Sequence, residues 1–163
     1  MLMVLLGFCG DELMNDLPDK DEHMLRNPDA ITRNVIVVDD DPINAMLLTE
    51  ICNAADWNVS GCASSSREAM AMLRQSDPCC MIIDYKLDGE KTGLDLNYEV
   101  KRARPGLFTI MVTGWDINDI AAHIDGPQPD RILRKPIPAN ILMDLLDSLH
   151  QQSNVVSLRS AAS

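Results

Sequence analysis

Three apolar runs constrain this chain more than any other feature: Val35–Val38, Cys79–Ile83 and Phe108–Val112. Each is too short for an ordinary helix, and each stops at a polar residue. A strand that is apolar on both faces has no solvated side. It belongs in a parallel sheet covered above and below, because a sheet with one wet face alternates apolar with polar instead. The segments between the runs read as helices. Asp39-Asp40-Asp41-Pro42 ends the first run, with Asp41 placed to cap a helix and Pro42 suited to its first turn. Ile43, Leu47, Leu48, Ile51 and Ala54 then recur at helical spacing and should face the core. Asn58–Ala63 is a weaker strand. Ser65 and Glu68 form a capping box opening a helix with Ala69, Met72 and Leu73 on one face, which Asp77-Pro78 breaks.

A further helix runs from about Gly93 to Ala103, closed by Arg104-Pro105-Gly106, and a short one covers Asp116–Ile124. Arg131–Arg134 reads as a last short strand before Lys135-Pro136. Pro138–His150 reads as the last helix, with Ile141, Leu142, Leu145, Leu146 and Leu149 inward. Five strands alternating with five helices give a doubly wound α/β fold, a parallel sheet with helices on both faces.

The 163 residues suffice for one domain. Residues 1–33 read as an acidic N-terminal extension, 34–152 as the folded domain, and 153–163 as a loose tail. The formal charge is −11. No Lys/Arg cluster could neutralise a phosphate backbone, so nucleic acid is not an expected partner. Met1–Cys9 is apolar but lacks a basic flank and is too short to span a bilayer, so no membrane attachment is expected. Cys9, Cys52, Cys62, Cys79 and Cys80 are odd in number and form no metal-binding spacing. Most of them read as small buried hydrophobes, in a reducing, cytoplasmic setting.

Ligands of an open parallel sheet bind beyond the carboxyl ends of its strands. There the sequence places Asp39-Asp40, Asp84, Thr113 and Lys135. Clustered carboxylates repel unless a cation sits among them. An all-oxygen donor set with few protein ligands suits Mg²⁺, which keeps several waters. An ammonium and a hydroxyl can both meet phosphoryl oxygens, and a carboxylate is a competent nucleophile toward phosphorus. Taken singly, Asp39–Asp41 could be a strand end and a cap, Thr113 a helix N-cap, and Lys135 a solvated charge. It is their common position at strand ends that points to chemistry.

The motifs VIVVDDDP, MIIDYKLDGEKTGLDL, IMVTGW and ILRKPI, in that order, make residues 34–152 resemble the response-regulator receiver domain of two-component signalling, the family of the chemotaxis response regulator. The resemblance implies a flavodoxin-like sheet of strand order 2-1-3-4-5 and a phosphoprotein whose acceptor is Asp84. It implies Mg²⁺ held by Asp39 (mainly through water), Asp40, Asp84 and the Lys86 backbone carbonyl. Thr113 is then the switch hydroxyl, Gly114 the small residue that admits the donor, and Lys135 the invariant lysine, preceding a cis proline bond. The donor would be a histidine kinase or phosphotransfer domain, and the output a contact with a downstream protein that the sequence does not name. The chain would be a stand-alone module and not an enzyme beyond its own phosphorylation and dephosphorylation. One position departs from the family pattern: Ile132 stands where many receivers carry an aromatic, three residues before the lysine. Trp115 could gate the site or meet a partner.

Two other readings compete. An aspartate-nucleophile phosphohydrolase or phosphotransferase would also use Asp84, but the haloacid-dehalogenase type carries an acid two residues later, where this chain has Lys86. A receiver that binds without phosphorylation fits poorly with the intact acid pair, Thr113 and Lys135.

Overall fold

The computed structural model describes residues 33–160, with side chains as far as Gln151. Five strands alternate with five helices: β1 Asn34–Val38, α1 Pro42–Ala54, β2 Asn58–Ala63, α2 Ser66–Gln75, β3 Cys80–Asp84, α3 Gly93–Ala103, β4 Phe108–Thr113, α4 Ile117–Ala122, β5 Arg131–Arg134 and α5 Ala139–Ser160. All neighbouring strands are parallel, in the order β2-β1-β3-β4-β5.

The apolar runs divide their side chains between two cores, as a strand's period of two requires. Val35, Val37, Ile82, Ile110 and Val112 face α1 and α5, where Leu48, Ile51, Leu142 and Leu146 cover them. Ile36, Val38, Met81, Ile83 and Met111 face α2 and α3, under Ala69, Leu73, Leu96 and Val100. A fully buried Ile such as Ile82 is stabilised by about 2–3 kcal/mol relative to an exposed one.

Local signals set several helix starts. The Asp41 carboxylate accepts the Ile43 and Asn44 N–H groups at 2.8 and 3.4 Å, capping α1 as expected. At α2 the expected capping box forms only in part. Ser65 accepts the Glu68 N–H, but the Glu68 carboxylate turns to the backbone N–H and hydroxyl of Ser64, at 2.8 and 3.0 Å. The complete box belongs to α3, between Thr92 and Asp95.

Two helices differ from the sequence reading. On α1 the buried residues are Ala45, Leu48, Ile51 and Cys52. Ile43 and Leu47, expected inward, are exposed, as are Ala54 and, on α5, Ile141. At about 100° per residue Ala45, Leu48, Ile51 and Cys52 share one face of α1, and Ile43, Leu47 and Ala54 share the opposite one, so the apolar residues form two stripes of which one is buried. The helix α5 continues through Ser160 and does not give way to a loose tail after His150. The stretch HQQSNVVSLRS holds no Gly or Pro to stop it, and a β-branched residue costs a helix only a few tenths of a kcal/mol. The expectations for residues 1–32 lie outside the described residues.

Candidate functional site

Sheet register assembles the site. Val38 pairs with Ile83, so the next residues, Asp39 and Asp84, emerge side by side at the ends of β1 and β3. Asp84 pairs with Val112 and Thr113 with Arg134, which brings Thr113 and Lys135 to the same rim. Backbone bonds continue three of the four ladders past the strand ends, with Asp39 N–H on the Ala63 carbonyl at 3.1 Å, Tyr85 N–H on Val112 at 2.8 Å and Lys135 N–H on Thr113 at 2.7 Å. The Lys135–Pro136 peptide bond is cis.

Asp39 is buried. One of its carboxylate oxygens accepts the Asp41 N–H at 2.9 Å, and the other accepts the Lys135 ammonium at 3.0 Å. The same ammonium lies 3.1 Å from Asp84 Oδ1. Asp40 sits half-exposed at the mouth. One oxygen each from Asp39, Asp40 and Asp84 lie within 4.8 Å of one another. Three carboxylates against one ammonium leave the rim electronegative, and this arrangement of oxygens fits a hard divalent cation such as Mg²⁺. Such an ion would screen the carboxylates and draw charge from a phosphoryl group.

The pKa of both central groups is raised, which disfavours the charge on Asp84 and favours that on Lys135. Burial pushes the Asp84 carboxyl above its ordinary value; the Lys135 hydrogen bond and charge pull it back, and Asp39 and Asp40 add to the rise. Burial pulls the Lys135 ammonium down, but hydrogen bonds and attraction from Asp39 and Asp84 outweigh it, so its pKa lies above the ordinary value. Lys135 is therefore a fixed cation, while Asp84 is a carboxylate held at a cost.

Thr113 is buried at the end of β4, and its hydroxyl accepts the Trp115 N–H at 2.9 Å. It is not a helix cap; Asp116 caps α4. Gly114 is exposed with open space around it. Lys86 follows on the β3–α3 loop with its side chain in solvent. Sequence reasoning passed over Gly93. Its N–H donates to the Tyr85 carbonyl at 2.8 Å, and a Cβ there would lie 2.2 Å from the Asp84 carbonyl oxygen. No side chain fits, so a glycine at the start of α3 lets that helix seat against the backbone of Asp84. The only sequence signal is a Gly directly after Thr92, inside the Thr-x-x-Asp cap.

A doubly wound sheet of order 2-1-3-4-5, with an acid triad, a lysine and a threonine at adjacent strand ends, is the architecture of a phospho-acceptor signalling domain. Comparison with known proteins agrees. The model of the response regulator receiver domain matches residues 35–147, and the chain belongs to that family. It is 26% identical over 139 residues to the probable transcriptional regulatory protein TcrX of Mycobacterium tuberculosis, covering 85% of this chain and 58% of that protein's length. Similar solved structures include a CheY-like receiver domain protein from Methanospirillum hungatei, with a TM-score of 0.67, 21% identity, and coverage of 74% of this chain and 95% of that one. The PhyR receiver domain of Erythrobacter litoralis has a TM-score of 0.64 at 18% identity, covering 71% and 88%. Among the described residues, no helix is long and apolar enough to cross a membrane.

Proposed function

We propose that this chain accepts a phosphoryl group on Asp84 from a phosphohistidine of a histidine kinase or phosphotransfer protein, and signals by protein contact. The observation that carries this reading is the Lys135 ammonium held between Asp39 and Asp84, beside the three-carboxylate cluster. An Asp84 oxygen forms a bond to phosphorus as the P–N bond of the donor breaks, and the imidazole keeps the electron pair and takes up a proton. Asp39, Asp40, Asp84 and the Lys86 carbonyl would hold Mg²⁺. Lys135 supplies a positive charge for a phosphoryl oxygen, and Thr113 a hydroxyl donor. Lys86, where a haloacid-dehalogenase-type hydrolase has its acid, argues against a turnover enzyme.

The donor has a surface to meet. Ile43, Met46 and Leu47 of α1 are 70, 62 and 56% exposed. Leu47 borders a cleft of about 370 Å³ whose far wall is Lys135, Pro136 and Ile137. Exposed apolar side chains at the rim of a charged site fit an apolar helix of the donor better than a nucleic acid, which the charge of −11 repels. Residues 34–152 would make up the signalling domain, working in the cytoplasm, with residues 1–33 as an extension.

Incubation with phosphoramidate and Mg²⁺ tests the reading. A hydroxylamine-sensitive phosphoryl adduct should form on the wild type and be absent from Asp84→Asn. An equal yield on Asp84→Asn would overturn it.

A further inference from the structure

We infer that occupancy of Asp84 is read out through the ring pair of Tyr85 and Trp115 and not through strand β5; this rests on the reading of Asp84 as phospho-acceptor.

The two rings belong to the loops that flank the site. Tyr85 directly follows Asp84, and Trp115 lies two residues past Thr113. Their centroids are 6.2 Å apart with the planes tilted by 55°, within the range of an aromatic contact. The two are held very differently. Tyr85 is fixed on both sides of its backbone, its N–H on the Val112 carbonyl and its carbonyl on the Gly93 N–H, both at 2.8 Å. Its ring also packs against the core beneath α2 and α3. Trp115 is 60% exposed, and its N–H is bound to the Thr113 hydroxyl.

That hydroxyl is the nearest buried switch. If its oxygen is drawn toward a phosphoryl group on Asp84, the backbone at Trp115 must follow or lose its acceptor. Tyr85 does not move with it, so the displacement appears as a change in the geometry of the ring pair. Ile132 of strand β5 offers no equivalent. It packs against the same core as Tyr85, but it has no polar atom and is stiff at χ1. A ligand shifts a conformational equilibrium only through contacts that differ between the two states. Here the Thr113 hydroxyl is such a contact, and Trp115 depends on it.

The test uses the full chain with Trp57→Phe, which leaves Trp115 as its only tryptophan. Beryllofluoride and Mg²⁺ are added, occupancy is followed by ¹⁹F NMR, and Trp115 by emission and acrylamide quenching. Bound fluoride should shift both the emission and the quenching of Trp115, and Ile132→Ala should keep that shift. In the fluoride-free protein, Thr113→Val should already loosen Trp115 and raise its quenching, while Thr113→Ser should not. Bound fluoride with an unaltered Trp115, loss of the shift in Ile132→Ala, or unchanged quenching in Thr113→Val would each overturn the inference. Failure of fluoride to bind at all would instead overturn the acceptor reading on which it rests.

Discussion

Strand β3 is buried along its whole length, whereas β5 exposes Arg131 and Arg134 and leaves Ile132 and Leu133 half-covered. The helices differ in the same way. α3 buries Leu96 and Val100 over eleven residues, while α4 has six residues and buries Ile120. Asp84 ends the strand with the most cover, and Thr113 with Trp115 leads into the region with the least. The difference teaches a division of labour. Reacting groups need positions fixed to a fraction of an ångström, which dense packing supplies. A segment that must change on signalling is drawn from the weakly packed end, where local rearrangement costs little.

The largest expected contrast is in stability. Ile82→Ala, in the middle of β3, should lower unfolding free energy in urea by about 3 kcal/mol, because the cavity cannot collapse. Ile132→Ala on β5 should cost no more than about 1 kcal/mol. Equal losses would break the comparison.

Lys135 links the two regions, since it follows β5 yet bonds to Asp39 and Asp84. Lys135→Met leaves both buried carboxylates without their cation. The loss should be about 2 kcal/mol in metal-free buffer, below the usual figure for a broken buried pair because Lys135 keeps 25% of its side chain exposed. Combining it with Asp84→Asn should cost less than the sum of the single changes, since the two groups touch. Additive effects of the two changes would show that the contact contributes little.

The smallest effect concerns pH. The folded pKa of Asp84 is raised, so the native state binds its proton more tightly than the unfolded chain. Its contribution to stability is full below the ordinary Asp value and is lost as pH rises through the folded value. Asp84→Asn removes that loss. Metal-free, it should raise Tm near neutral pH by a few degrees, about 1 kcal/mol or less, and the gain should vanish in acid. A variant less stable than wild type at neutral pH would contradict the assigned cost.

The fold was legible because the apolar runs are unambiguous and each ends at a charged or polar residue. Asp39, Asp40, Asp84, Thr113 and Lys135 could be placed at one rim from strand ends alone. What escaped depends on contacts between segments distant in sequence. α1 is apolar on two faces, and which of them meets the sheet, the one with Ala45 and Leu48 and not the one with Ile43 and Leu47, is decided by packing and not by spacing. Glu68 met the pattern of a capping box but found Ser64 a better partner. Gly93 looked like an ordinary helix start until the approach of the Asp84 carbonyl was seen. The end of α5 is not legible in the sequence, because the composition turns polar after Gln151 while no residue breaks the helix.

The account rests most directly on which carboxylate takes the phosphoryl group. Three acids share the site, and adduct formation alone does not distinguish them. After reaction with phosphoramidate and Mg²⁺, borohydride reduction of the acyl phosphate followed by peptide mass spectrometry marks the acceptor as homoserine. The account predicts the mark at Asp84, with Asp39 and Asp40 unmodified. A mark at Asp39 or Asp40, with Asp84 intact, would contradict it.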